Sequence, residues 1–121
     1  MPTTESDVAA PSGRRLAHPS TEEIRLEGVL HALADPVRLT IVRELADGHA
    51  DMACIAFDLP VSKSTTTHHF KVLREAGVIR QHYEGTSRMS RLREDDLEAR
   101  FPGLLPAVLE AARRSAAPSA V

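Results

Sequence analysis

The chain has 121 residues, and a domain of this length buries enough surface to fold without disulfides or structural metals. Its composition of 42% hydrophobic, 26% charged and 3% aromatic residues is typical of a soluble helical protein and excludes a disordered or all-β chain. The single cysteine excludes an internal disulfide framework. The sequence contains no run of about 18 apolar residues, so no membrane-spanning helix is predicted. The net charge of -2 gives the chain no overall attraction to polyanions.

Proline, serine, threonine and alanine dominate both ends of the chain, without apolar periodicity. We therefore expect an N-terminal arm over 1–19 and a tail over 115–121 that lack fixed structure, and one folded domain over 20–114. No positively charged start is followed by an apolar stretch, so we expect a cytoplasmic protein.

Two helices are predicted at the start of the folded part. Ser20 and Glu23 form a capping-box pattern, and apolar residues at helical spacing follow them, which predicts a first helix over 21–33. Asp35 then supplies a cap for a second helix, which begins with a proline and ends near Gly48.

A helix, a tight turn and another helix are predicted next. Asp51 can cap a short helix that contains Met52 and Ile55, and the sequence LPV at 59–61 interrupts it. The following helix is predicted over 62–77, because it begins with a serine cap and ends with a glycine suited to a left-handed conformation. In a helix-turn-helix this second helix is the recognition helix.

Two strands and a last helical region complete the domain. The sequences VIRQHY and SRMSRL, on either side of a glycine-containing loop, predict a hairpin. Apolar residues from Leu97 to Ala112 repeat at spacings of three and four, which predicts a final helical region bent or broken at Pro102 and Pro106. The predicted fold is mainly α with a small β-hairpin wing, a winged helix-turn-helix.

The start of the recognition helix carries side chains that suit DNA. The major groove, roughly 12 Å wide, admits a helix that presents donors and acceptors to the base edges. Thr66, Phe70 and Leu73 lie at spacings of four and three, so they are predicted to pack against the second helix. The candidates for base or phosphate contacts are Ser62, Lys63, Ser64, Thr65, Thr67 and His68.

Positive charge is concentrated in the segment 62–93, where seven lysines and arginines stand against two glutamates, a net charge of +5. Such a segment attracts a polyanion. Lys71 and Arg74 are candidates for phosphate contacts, and Arg88 in the hairpin loop is a candidate for the adjacent minor groove. The alternative for the segment is a solvated basic surface. The alternative for the Ser/Thr-rich helix start is a cap only, and for the hairpin arginines it is an ordinary charged hairpin. The second choices in the hairpin are Arg80 and Arg91.

Two stretches resemble the ArsR/SmtB family of winged-helix regulators, named after an arsenical-resistance repressor. They are LADPVRLTIVREL at 33–45 and SKSTTTHHFKVLREAGVIRQHYEGTSRMSRL at 62–92. The densest similarity is HHFKVLREAGVI with the glycine-containing wing after it, and the resemblance covers about 25–110. It implies a dimer joined by the first and last helices, with two recognition helices in successive major grooves of a palindromic operator.

The length of the last apolar series independently favours a dimer. It exceeds what a small domain needs to bury against itself, so part of it is expected to pack on a second subunit. DNA half-sites would then lie one turn, ~34 Å, apart. The candidate interface residues are Leu26, Leu30, Leu104, Leu105, Val108 and Leu109.

The chain departs from the metal-sensing patterns of many such relatives. Those patterns are Cys-x-Cys in the short helix, or His and carboxylate ligands in the last helix. This chain has only Cys54 at the first position and, among possible carboxylate and His ligands at 104–114, only Glu110. Cys54 is a candidate redox thiol, with a small buried apolar residue as the alternative.

The six histidines do not form a recognisable metal-binding pattern. His68 and His69 diverge by about 100° on a helix, so they cannot chelate one ion. We therefore predict no metal and no cofactor. The scattered histidines, expected to face solvent or to be hydrogen-bonded, are His18, His31, His49 and His82.

The predicted function is a transcriptional repressor whose homodimer binds a double-stranded DNA operator and responds to an unidentified effector. The alternative is a winged-helix module that binds a protein partner and has no sequence-specific DNA binding. An enzyme is not expected, because the sequence contains no Gly-rich phosphate loop, no paired metal-binding histidines and no nucleophile with its base.

Overall fold

The computed structural model describes residues 16–48, 51–53, 57 and 59–116. A 3-10 turn at Thr21–Glu23 precedes the helices and strands. The helices are α1 (Leu26–Leu33), α2 (Pro36–Gly48), α3 (Lys63–Ala76), α4 (Glu94–Arg100) and α5 (Leu104–Ala116), and the strands are β1 (Met52–Ala53), β2 (Ile79–Glu84) and β3 (Ser87–Leu92). The prediction of a mainly helical winged fold is confirmed.

Local sequence determines the ends of α2 and α3. Oδ2 of Asp35 accepts hydrogen bonds of 2.9 and 3.1 Å from two backbone N–H groups in the first turn of α2. Oγ of Ser62 accepts a hydrogen bond of 3.2 Å from the backbone N–H of Thr65 and so caps α3. Gly77 ends α3 with a left-handed φ of 87°. Both helices therefore have the bounds that the sequence predicts.

The first predicted helix is divided by Ile24 and Arg25, whose backbones are extended. The capping box of Ser20 and Glu23 is present, but it begins the 3-10 turn rather than α1. Ile24 is buried at 1% exposure, and a Cβ at Gly77 would lie only 2.5 Å from its Cγ1. The chain leaves the helix here because Ile24 enters the core beside the end of α3.

The prediction that a short helix begins after Asp51 is wrong, because Met52–Ala53 forms strand β1. β1 pairs antiparallel with β3, which also pairs antiparallel with β2, so the sheet order is β1-β3-β2. Asp51 does not cap a helix: its Oδ1 accepts a hydrogen bond of 2.5 Å from Nε of Arg91. A strand that is distant in sequence therefore decides the conformation at this point. Ile55 lies outside the described residues.

The last helical region is divided at 101–103, with Pro102 in the break as predicted. Pro106 does not break α5, because it lies in the first turn, where a backbone N–H has no helical partner to lose.

Residues 16–19, which composition assigns to an arm without fixed structure, contact the sheet. Nε2 of His18 accepts a hydrogen bond of 2.9 Å from the backbone N–H of Gln81 in β2. Nη1 of Arg93 donates one of 2.9 Å to the carbonyl of Pro19. Residues 1–15 and 117–121 lie outside the described residues, and α5 extends two residues past the predicted start of the tail.

The core lies between α1–α5 and the inner face of the sheet. Phe57 packs edge-on against Phe70 of α3, with ring centroids 5.3 Å apart. No helix in the described part of the chain is long and apolar enough to cross a membrane. The largest fully buried hydrophobic side chains are Ile24, Val29, Ile41, Val42, Leu45, Phe70, Leu73, Val78, Ile79 and Leu97.

Candidate nucleic-acid interface

Helix α3, the predicted recognition helix, and the hairpin turn border the same cleft. This α3–wing cleft has a volume of about 410 Å³. Thr66 and Thr67 line it from α3, and Thr86, Ser87 and Arg88 line it from the hairpin. The two elements that the sequence assigns to DNA are therefore neighbours on one side of the domain.

The first two turns of α3 present polar side chains to solvent. Thr67 Oγ1 donates a hydrogen bond of 3.1 Å to the carbonyl of Lys63, and Ser62 Oγ lies 3.0 Å from Thr65 Oγ1. Because these hydroxyl groups are already ordered, they have fixed positions from which to bond a ligand. The exposed candidates at this end of α3 are Ser62, Lys63, Ser64, Thr65, Thr67 and His68, and Lys71 is exposed one turn later.

The opposite face of α3 fixes its orientation. Phe70 and Leu73 are buried at 1% and 0% exposure, and Thr66 is half-buried. The predicted packing is confirmed for Phe70 and Leu73, whereas the half-buried Thr66 borders the α3–wing cleft. The free backbone N–H groups at the N-terminus of α3 also favour the binding of an anion such as phosphate.

Arg74 is placed differently from the other cationic candidates, because it is buried at 9% exposure. Its Nη1 donates a hydrogen bond of 2.6 Å to Oε1 of Gln81, whose Nε2 donates one of 3.0 Å to Oγ of Ser90. Burial lowers the pKa of Arg74, and the charge of Arg88 lowers it further. The structure thus uses Arg74 to join α3 to β2 and β3. Its position four residues after the buried Phe70 is a sequence signal for this role.

Arg88 lies across the hairpin on Tyr83. Its Cζ is 5.1 Å from the centroid of the Tyr83 ring, and its Nη2 donates a hydrogen bond to the Tyr83 hydroxyl. The two residues are register partners in the β2–β3 ladder. Stacking on the ring holds the guanidinium of Arg88 beside the α3–wing cleft.

Arg80 and Arg91 form ion pairs on the outer part of the sheet. Nη2 of Arg80 lies 3.3 Å from Oδ2 of Asp96, and Nε of Arg91 lies 2.5 Å from Oδ1 of Asp51. Burial alone would raise the pKa of Asp96, but hydrogen bonds from Arg93 and Thr21 hold it below its usual value. These carboxylates partly neutralise both arginines, which leaves Arg88 as the stronger hairpin candidate.

Comparison with known proteins identifies the family. Residues 35–81 match the family described as bacterial regulatory protein, arsR family. The uncharacterized HTH-type transcriptional regulator YceK of Bacillus subtilis is 33% identical over 88 residues, which cover 71% of this chain and 87% of that protein. The chain belongs to the arsR family.

Two further relatives agree with this assignment. The transcriptional repressor SdpR of Bacillus subtilis is 33% identical over 60 residues, which cover 50% of this chain and 67% of that protein. An ArsR-like transcriptional regulator from Rhodococcus sp. RHA1, a solved structure, is 31% identical with a TM-score of 0.54 and covers 76% of this chain and 87% of that one. The predicted family and the prediction of a DNA-binding transcriptional regulator are confirmed.

A buried polar network that sequence reasoning missed holds the arsR-family recognition helix in place. Arg38 of α2 is 8% exposed, and its Nε donates a hydrogen bond of 2.6 Å to the carbonyl of Ala32 in α1. Its Nη1 lies 3.1 Å from Nδ1 of His69 in α3. Because arginine only donates, Nδ1 of His69 is the acceptor and Nε2 carries the proton. The sequence signal for this network is Arg38 itself, which lies in the first turn of α2 within the motif at 33–45.

The apolar residues proposed for dimerisation differ in burial. Leu26 and Leu30 of α1 are 43% and 45% exposed, and they lie four residues apart on one face of the helix. Leu105 is buried at 6% exposure within the subunit's own core. Leu104, Val108 and Leu109 of α5 are half-buried and pack against that core.

The histidines and the cysteine are placed as follows. Nε2 of His82 lies 3.1 Å from Oε2 of Glu84, so this histidine is hydrogen-bonded. Burial, followed by the charges of Arg80, Arg74 and Arg93, lowers the pKa of His18 to about 4. His31 and His68 are exposed. Cys54 and His49 lie outside the described residues, so the redox interpretation of Cys54 stays a prediction.

Proposed function

We propose that this arsR-family chain is a repressor that binds a palindromic DNA operator as a homodimer and is released or retained by an effector. The observation that carries the proposal is the α3–wing cleft, since exposed Thr67 of α3 and Arg88, held on the hairpin by Tyr83, border it together, and the exposed polar start of α3 lies one turn before Thr67. The start of α3 would enter the major groove, and Arg88 would reach the adjacent minor groove.

The homodimer is supported by apolar surface that the subunit leaves exposed. Leu26 and Leu30 lie on α1, and partly buried apolar residues continue on α5. Two copies joined there would each present one α3 to the DNA, which matches the symmetry of a palindromic operator with half-sites ~34 Å apart.

The proposal is tested with a DNA fragment from upstream of the chain's own gene. Fluorescence anisotropy should show saturable binding whose affinity falls steeply with salt. The double variant Lys63→Ala/Arg88→Ala should bind at least about tenfold more weakly, and its log–log salt slope should be shallower by about 1 to 2. A reporter gene behind the same fragment should be more active when the protein is removed.

The matched control is Arg25→Ala/Arg114→Ala, which removes the same charge from positions away from the cleft, where side chains are 76% and 78% exposed. Its salt slope should equal that of the natural chain. Equal DNA affinity of the natural chain and of Lys63→Ala/Arg88→Ala would contradict the assignment of this surface to DNA. If the natural chain shows no saturable binding to the fragment, a protein-interaction module is favoured instead.

A further inference from the structure

We propose that Asp51, His82 and Glu84 form a binding site for one divalent transition-metal ion on the outer face of the wing sheet. Each residue offers one ligand atom, and the three atoms lie within 4.8 Å of one another. Nε2 of His82 is the central atom, 3.5 Å from Oδ2 of Asp51 and 3.1 Å from Oε2 of Glu84. The sequence did not predict this site because Asp51 and His82 are brought together only by the sheet.

These separations fit ligands that share one ion. Zinc binds nitrogen and oxygen ligands at about 2.0–2.2 Å, so two ligands at a tetrahedral angle lie roughly 3.4 Å apart. The distances from Nε2 of His82 to the two carboxylates lie on either side of this value. Only small movements of these side chains are therefore needed to bring the three ligand atoms around one ion.

The backbone holds the ligands in this arrangement. His82 and Glu84 are alternate residues of β2, so they lie on the same face of the strand. Asp51 directly precedes β1, on the other side of β3. Because β3 pairs with both strands, the three ligands are carried by one sheet.

Arg91 of β3 orients the carboxylate of Asp51. Its Nε donates to Oδ1 at 2.5 Å, and Oδ2 is the oxygen nearest to His82. A hydrogen bond that fixes the second oxygen of a ligating carboxylate is a common outer partner of metal sites. Two carboxylates and Arg91 together carry a net charge of -1, which favours a cation.

The donor set selects the class of ion. One imidazole nitrogen with two carboxylate oxygens suits Zn²⁺, Co²⁺ or Ni²⁺ better than Ca²⁺, which prefers oxygen ligands alone, or Cu⁺, which prefers sulfur. The side chains of His82 and Glu84 are 43% and 61% exposed, so the site opens to solvent and leaves room for water as a further ligand.

Isothermal titration calorimetry of the full, tag-free chain with ZnCl₂ tests the site without DNA, so its outcome is independent of the proposed function. We expect one Zn²⁺ per chain. His82→Ala and Glu84→Ala should each weaken binding by at least about tenfold. His31→Ala, which removes an exposed histidine of α1, should bind Zn²⁺ like the natural chain.

Thermal unfolding provides a second readout, since an ion that binds only the folded state raises the Tm. Zn²⁺ should raise the Tm of the natural chain and of His31→Ala but not of His82→Gln, which keeps a polar side chain at this exposed position. The proposed site is contradicted if the natural chain shows no saturable Zn²⁺ binding, or if the Zn²⁺ affinity of His82→Ala or Glu84→Ala equals that of the natural chain.

Discussion

Nη1 of Arg38 lies 3.1 Å from Nδ1 of His69, so a buried arginine of α2 is hydrogen-bonded directly to the recognition helix. The same guanidinium donates to the carbonyl of Ala32 near the end of α1. One side chain therefore joins three helices, and the orientation of α3 depends on a residue that is far from its exposed face.

Arg38→Ala should lower the free energy of unfolding by about 2–4 kcal/mol, because it removes charged hydrogen bonds and leaves a buried carbonyl and a buried imidazole nitrogen without their donor. Urea denaturation at a fixed protein concentration measures the change. Arg113→Ala, on a side chain that is 54% exposed and paired with Glu110, should change it by less than about 0.5 kcal/mol. Similar values for the two variants would contradict the role given to Arg38.

Lys71 and Arg74 lie on the same helix but should affect DNA binding differently. Lys71 is exposed, so Lys71→Met should remove a phosphate contact and make the log–log salt slope shallower by about 0.9. Arg74 is buried on Gln81, so Arg74→Met should lower protein stability and leave the salt slope unchanged. Anisotropy titrations at several salt concentrations distinguish the two. A slope change in Arg74→Met equal to that in Lys71→Met would show that Arg74 reaches DNA.

Leu30→Glu should convert the proposed dimer into monomers, because it places a charge within an apolar interface. Leu30 is 45% exposed, so the folded subunit tolerates the change, and circular dichroism should be unaltered. Sedimentation velocity measures the mass. Thr67→Glu, which adds the same charge to the exposed face of α3, should remain a dimer. A dimeric Leu30→Glu variant would exclude this part of α1 from the interface.

Stability should decrease on acidification because of His18. The pKa of His18 is lowered to about 4 in the folded chain, against about 6.5 when unfolded, so between these values the unfolded state binds the additional proton. The contribution of neutral His18 to the free energy of unfolding is fully present above about pH 6.5 and is lost as the pH falls towards 4. Because His18 is only partly buried, we discount the full linkage value and expect a loss of roughly 1 kcal/mol between about pH 7 and pH 5.

His18→Gln tests this assignment, since glutamine can accept the hydrogen bond of Gln81 but does not titrate. Its loss of stability on acidification should be smaller than that of the natural chain by roughly 1 kcal/mol, measured from urea unfolding at both pH values. The two proteins differ only at residue 18, so the difference isolates His18. Equal losses would contradict the assignment.

The sequence predicts those elements whose signals are local. Asp35 and Ser62 cap α2 and α3 as expected, and Gly77 ends α3, because caps and left-handed glycines act within one helical turn. The hairpin is also formed by neighbouring residues. The exposed start of α3 followed from helical spacing, and this is the part of the candidate site that the sequence predicts best.

The features that the sequence did not predict depend on distant partners. Met52 forms a strand because Ser90 of β3 lies beside it, and Arg74 is buried because Gln81 of β2 accepts its hydrogen bond. Asp51 and His82 are near each other only after the sheet has formed. Local propensity and periodicity contain no information about such pairings.

The hydrogen bond from Gln81 to His18 also has a consequence for association. β2 is an outer strand of the sheet, and the backbone N–H groups of an outer strand are a template for strands of other molecules. An imidazole occupies the position where a neighbouring strand would place its carbonyl. His18 therefore blocks intermolecular β-pairing at this position of β2, and its removal by truncation should expose the backbone N–H of Gln81 to a strand of another molecule.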